Sequence, residues 1–323
     1  VSPRARVVAF TTLAAAGAAA LVVGVVAAQT ERPAPLPIEE TQPRDGLPPL
    51  VLALGVRDDA EARDLRQAEQ LYAKGDVAGA ARLFDRHDSL EARVGRAFAA
   101  WPDATVDKLN RLAGLHPRSP VVQLHLGIAA YWARQRGAEE AWRAVVEAAP
   151  DTPYAVAAGN LLHPQYARDL PRFVPTASLP AGLGSLSSAR QLARLEQQAR
   201  AGDRLATLYY GVALQRLGRQ LSAARLLGAY ARGHPDDVEA QVAAAVTRFD
   251  KARPQDAFSR LGPLTRRFPG AATVRFHLGL LLLWSGEVEE ATRQLRLARQ
   301  AEPGSTIAHE ASRYLVALSK AAS

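Results

Sequence analysis

From about Asp58 onward, apolar residues return every three to four positions, and no segment keeps the apolar–polar alternation of a strand. The pattern predicts helices almost throughout. Leu50–Leu54 is apolar but too short to build a sheet; it reads as a brief extended piece. On top of the helical pattern lies a slower beat of 34 residues. Pro235, Pro269 and Pro303 keep it, as do Ala223, Ala257 and Ala291, Leu227, Leu261 and Leu295, and the small residues Gly211, Ala245 and Gly279. A fixed period of this length signals stacked repeats, here 204–237, 238–271 and 272–305.

Each repeat reads as two antiparallel helices. In the last, Ala272–Trp284 forms the first, Gly286 opens the turn, Val288–Gln300 forms the second and Pro303 stops it. Gly279 and Ala291 are expected to face each other where the helices cross. In the middle repeat, Pro254 sits at the first turn of the second helix, where its missing N–H costs nothing, and Pro263 is expected to kink that helix.

These residues resemble the tetratricopeptide repeat (TPR) family. The likeness rests on Gly211, Gly218, Ala223, Leu227 and Pro235, then Ala245, Ala257, Leu261 and Pro269, then Leu278, Gly279, Gly286, Ala291, Leu295, Ala298 and Pro303. The family's early tryptophan is replaced by Thr207, Gln241 and Arg275. Upstream the match loosens. Ala68, Gly75, Ala80 and Phe84 mark one unit. Gly95, Phe98 and Trp101 suggest a degenerate one, and Leu126, Gly127, Gly137, Ala141 and Pro150 another. The resemblance implies an all-α solenoid, a right-handed superhelix whose first helices line a concave groove. Two blocks are expected: a degenerate one over 58–162 that ends on a lone helix, Tyr154–Leu162, and a regular one over 188–323. A helix over Ser185–Ala201 is expected to lead into the regular block. A Pro/Gly-rich connector over 163–187 separates the blocks. A terminal helix over 306–320, with Ile307, Ala311, Tyr314, Leu315 and Leu318 on one side, is expected to cap the array.

The N-terminal region follows another pattern. Val7 to Ala28 carries no charge, long enough for a membrane-spanning helix. Arg4 and Arg6 precede it and favour an N-inside orientation, leaving the repeats outside the cytoplasm. The expected order is a short cytoplasmic tail (1–6), an anchor (7–29) and a Pro-rich spacer (30–57). The alternative is a signal segment cleaved near Ala28; the apolar run is longer than such segments usually carry.

Composition narrows the chemistry. The net charge of +8 points on its face to nucleic acid or an anionic surface. Yet the basic residues are scattered arginines among alanines, with no basic run interleaved with aromatics, so no nucleic-acid partner is expected. The absence of cysteine excludes disulfides, thiol catalysis and Cys-ligated zinc. The seven histidines include no i, i+4 pair and no HExxH. His116 and His234, each before a proline, read as helix-end caps. The segment 182–188 is Gly/Ser-rich but lacks a phosphate-loop lysine, so it reads as a linker. No catalytic, cofactor or metal site is expected.

What the resemblance implies is a binding surface. Carried over by alignment, the groove positions include Leu208, Val212, Val242, Val246, Phe249, Phe276, Leu280, Leu283 and Trp284. The Lys, Asn and Arg with which known TPR receptors clamp a chain end are mostly replaced by apolar residues. This groove suits an apolar or amphipathic segment, supplied by a protein or peptide partner or by the chain's own Pro-rich stretch at 171–181 or terminal helix. The expected function is a membrane-anchored, extracytoplasmic scaffold, similar in architecture to anchored TPR proteins of bacterial envelope assembly and cytochrome c maturation. A cytoplasm-facing adaptor in a signalling or secretion complex is the alternative.

Overall fold

The computed structural model describes residues 43–322. The described residues form fifteen helices and no strand. The expected membrane segment at 7–29 lies outside the described residues, among which no helix is long and apolar enough to cross a membrane. The chain divides into two compact units, one of residues 33–162 and one that holds residues 163–323.

The first unit contains α1 (Ala60–Ala73), α2 (Val77–Phe84), α3 (Leu90–Ala99), α4 (Thr105–Leu115), α5 (Pro120–Trp132), α6 (Ala138–Ala148) and α7 (Pro153–Leu162). Its starts are set by short polar side chains. Asp59, Asp76 and Ser89 accept hydrogen bonds from the backbone N–H three residues on, satisfying donors that a helix start leaves open. The helices pair in sequence, and the predicted lone helix α7 packs on α6 and α5. Where pairs cross, glycine is required. A Cβ on Gly95 would stand 2.4 Å from the Phe84 ring, and one on Gly127 would stand 2.4 Å from Trp142 Nε1 and 2.8 Å from the Ala138 carbonyl oxygen.

The second unit contains α8 (Ser188–Arg200), α9 (Arg204–Arg216), α10 (Gln220–Gly233), α11 (Val238–Val246), α12 (Gln255–Arg267), α13 (Ala272–Trp284), α14 (Val288–Ala301) and α15 (Thr306–Ala322). The last three repeats are the helix pairs α9/α10, α11/α12 and α13/α14, a TPR-like arrangement. Gly279 meets Leu295 and the Ala291 carbonyl across its crossing, as expected. Pro254 caps α12 and Pro263 lies inside it. Ile307 and Ala311 of α15 are fully buried and Tyr314 packs edge-on to Phe276, so α15 covers the end of the array.

Two stretches expected to be spacers are packed instead. Residues 43–54 and 163–187 contain no helix, but Leu50, Leu52, Leu54, Ala167 and Phe173 are buried. Their prolines do block helices. Burial falls on alternate positions along both, so one edge of an extended chain faces a core.

Candidate partner-binding grooves and the segments that fill them

In the second unit, α9, α11 and α13 are the first helices of their repeats and form the face against which residues 167–177 lie. Leu208, Val212, Val242, Val246, Phe249, Phe276, Leu280, Leu283 and Trp284 are all buried there, in one apolar core with Ala167 and Phe173. The occupant of this groove is the chain's own extended segment, residues 167–177.

That segment is held mainly through its backbone. The Phe173 N–H donates to Gln215 Oε1 at 3.1 Å, and Gln215 Nε2 reaches back to the Pro171 carbonyl at 3.5 Å. The Val174 N–H donates to His277 Nε2 at 2.9 Å. The Thr176 N–H donates to Glu239 Oε1 at 2.6 Å, and Tyr209 Oη donates to the Ala177 carbonyl at 2.8 Å. At the other end, the Ala167 N–H meets the Trp284 carbonyl at 3.4 Å, while Trp284 Nε1 donates to the Arg168 carbonyl at 3.2 Å. The Phe173 ring stacks on His277, with ring centres 5.0 Å apart.

His277 is fixed for this task. Its Nδ1 lies 2.7 Å from the Thr273 carbonyl one turn earlier. A carbonyl only accepts, so Nδ1 carries the proton and Nε2 is left as an acceptor for Val174. Burial pushes the ring's pKa down to about 4, which keeps it neutral near neutral pH. Glu239 is 4 % exposed, and Arg204 Nη2 bonds its second oxygen at 2.8 Å. Lys251 is also buried, close to Asp169 and Arg168 of the segment, and burial lowers its ammonium to about 7.

The first unit repeats the arrangement. Residues 44–54 run across α1, α5 and α7. The Val51 N–H donates to His125 Nε2 at 3.1 Å, the Leu52 N–H to Glu69 Oε1 at 2.8 Å and the Ala53 N–H to Tyr154 Oη at 3.2 Å. Tyr72 Oη donates to the Pro48 carbonyl at 2.9 Å, and the Arg44 N–H to the Trp132 carbonyl at 2.8 Å. His125 Nδ1 lies 2.6 Å from the Val121 carbonyl, and burial again pushes the ring's pKa down to about 4. Burial raises the Glu69 carboxyl above the usual range.

The alignment that gave the apolar positions of the second unit also gave Gln215 and Glu239; it missed His277 there, and in the first unit His125, Glu69, Tyr72 and Tyr154. A usable signal was present. The string His-Leu-Gly, then four residues, then Trp occurs at 125–132 and again at 277–284.

No family model and no curated protein matches the chain. Among solved structures it is similar to a tetratricopeptide repeat protein from Parabacteroides merdae, with 10% identity, 80% of this chain and 98% of that chain covered, and a TM-score of 0.34. The assignment to a TPR-like α-solenoid rests on the helix pairs and their small-residue crossings.

Proposed function

We propose that the protein is a membrane-anchored scaffold that captures extended protein segments outside the cytoplasm, in the assembly of an envelope complex. The observation that carries the capture reading is the backbone recognition in both units: buried, pre-oriented side chains accept N–H groups from an extended chain lying in the concave face. Main-chain bonds supply affinity in this mode and apolar pockets supply selectivity. The location is supported by the uncharged run Val7–Ala28 with Arg4 and Arg6 before it.

Two measurements test this reading. A reporter that is active only outside the cytoplasm, fused after Ser323, is expected to work; activity of a cytoplasm-only reporter there selects the adaptor alternative. Photo-crosslinking of the full chain in its native membranes, with the probe on the concave helices, is expected to recover a defined set of proteins. Recovery of none removes the scaffold role.

A further inference from the structure

The two bound segments share one pattern of contacts. One constant shift along the sequence aligns residues 44–51 with 167–174 and superimposes a shared set of recognised features. Arg44 and Ala167 each give their N–H to the carbonyl of the tryptophan that ends the His-Leu-Gly helix. Gly46 and Asp169 both take positive φ, 86° and 58°, which turns the chain into the groove. Leu47-Pro48-Pro49-Leu50-Val51 then aligns with Leu170-Pro171-Arg172-Phe173-Val174. Both proline carbonyls accept from a side chain near the end of a first helix, Tyr72 or Gln215. Leu50 and Phe173 fill the apolar site, and both valines give their N–H to a histidine Nε2. Residues 47–52 and 170–175 share the same alternation of buried and half-buried positions. The loops that join segment to histidine differ, spanning 74 residues in one unit and 103 in the other. The match therefore follows the recognition and not the connecting chain.

We infer that each groove is a receptor for an extended internal segment of the pattern Leu-Pro-x-(Leu or Phe)-Val, and that the straps at 44–54 and 167–177 are built-in ligands which such a segment of another protein displaces. This rests on the capture reading above and deepens it. Neither strap offers a chain end to the groove, so the ligand is recognised within a chain, unlike the carboxylate clamp. Proline in the pattern pre-extends the segment and lowers the entropy lost on docking. A tethered strap competes at an effective concentration of roughly millimolar. The free site is therefore hidden until a strap is weakened or outcompeted.

The test uses a fluorescent peptide with the sequence of residues 165–178 and the full chain carrying Phe173→Ser and Val174→Pro, which remove the stacked ring and the N–H. The expected result is binding at least about tenfold tighter to this variant than to the unaltered chain. An unlabelled peptide with the sequence of residues 43–56 should compete, and the labelled peptide carrying Val174→Pro should not bind. No binding to a variant of native helicity, or equal binding of the Val174→Pro peptide, overturns the inference. If the variant does not fold, hydrogen exchange of the unaltered chain decides. Excess peptide should speed exchange at the strap amides of Phe173, Val174 and Thr176 while the helices stay protected; unchanged strap exchange overturns it. Crosslinked partners that the peptide fails to displace also overturn the ligand assignment, and leave the scaffold role standing.

Discussion

The two units hold the same pattern by different means. In the first, three consecutive N–H groups, of Val51, Leu52 and Ala53, all find side-chain acceptors, and the apolar site takes a leucine. In the second, Pro175 stands where Leu52 does and has no N–H to give, but Phe173 stacks on His277 and is 1 % exposed. Both straps are held through their backbones, and the second adds a stacked ring. What both keep is the valine N–H on a buried neutral histidine, and that marks this bond as the core of the recognition.

The sharpest way to break the comparison is to delete the apolar side chain in each strap. Phe173→Ala is expected to cost about 3–5 kcal/mol in the second unit, and Leu50→Ala about 2 kcal/mol in the first, because Leu50 sits at the rim with 9 % exposure. Denaturant unfolding followed by tryptophan fluorescence separates them, since Trp284 is the second unit's tryptophan and Trp101, Trp132 and Trp142 belong to the first. Equal losses would show that backbone bonding and ring burial contribute alike. A much smaller loss at Phe173 means that the strap leaves the groove without unfolding the helices.

The glycine of the His-Leu-Gly string offers the next contrast. A methyl at Gly127 meets Trp142 Nε1 at 2.4 Å and a backbone oxygen at 2.8 Å, and neither can move without shifting α6. A methyl at Gly279 meets Leu295 Cγ at 3.0 Å and the Ala291 oxygen at 3.3 Å. Gly127→Ala is expected to destabilise by about 2–3 kcal/mol through overpacking. For Gly279→Ala the strain is offset by the gain of about 1 kcal/mol that alanine brings to a helix, so the net change is expected within about 1 kcal/mol. The same unfolding transitions read both.

Much of this was legible in the sequence, and the remainder was hidden for a physical reason. The 34-residue beat located the second unit's helix pairs, and α13 spans the predicted Ala272–Trp284. Helix periodicity is local, so it can be read within a window of a few turns. The straps are not local. Their contacts join residues 74 and 103 positions apart, and a proline-rich stretch has no periodic signature of its own. The apolar positions that the alignment singled out are buried in one core. His277 was not among them, because a buried histidine that accepts one backbone N–H has the same sequence appearance as one on a helix surface. Only the recurrence of the whole His-Leu-Gly string, out of step with the 34-residue period, separates the two cases.

Acid should loosen both units by similar amounts. Each buried histidine has a folded-state pKa of about 4, below the value near 6.5 of the unfolded chain. Between those values the unfolded state binds the extra proton. The stabilisation is complete above about pH 6.5 and is lost as the pH falls toward 4, at up to about 1.4 kcal/mol per pH unit for each ring. Protonation also turns the Nε2 acceptor into a donor facing the valine N–H. Melting temperatures measured from pH 7 to 4.5 should fall for both transitions. His277→Gln should flatten the slope of the second transition alone, and an unchanged slope would mean that other groups carry the pH dependence.

The smallest difference lies at the carboxylates. Glu239 receives the Thr176 N–H and is braced by Arg204, which also bonds Asp237 at 2.6 Å. Glu69 receives the Leu52 N–H without such an arginine bond among its described hydrogen bonds. Arg204 is 46 % exposed on its side chain, so water screens much of its charge, and Arg204→Gln is expected to cost only about 1 kcal/mol. The loss should concentrate at the strap. Hydrogen exchange at Thr176 should accelerate by roughly fivefold to tenfold, which about 1 kcal/mol of local opening produces, while Leu52 in the first unit stays as it was. If Thr176 keeps its protection, Glu239 holds its orientation without Arg204, and the second strap's carboxylate contact is as self-sufficient as the first's.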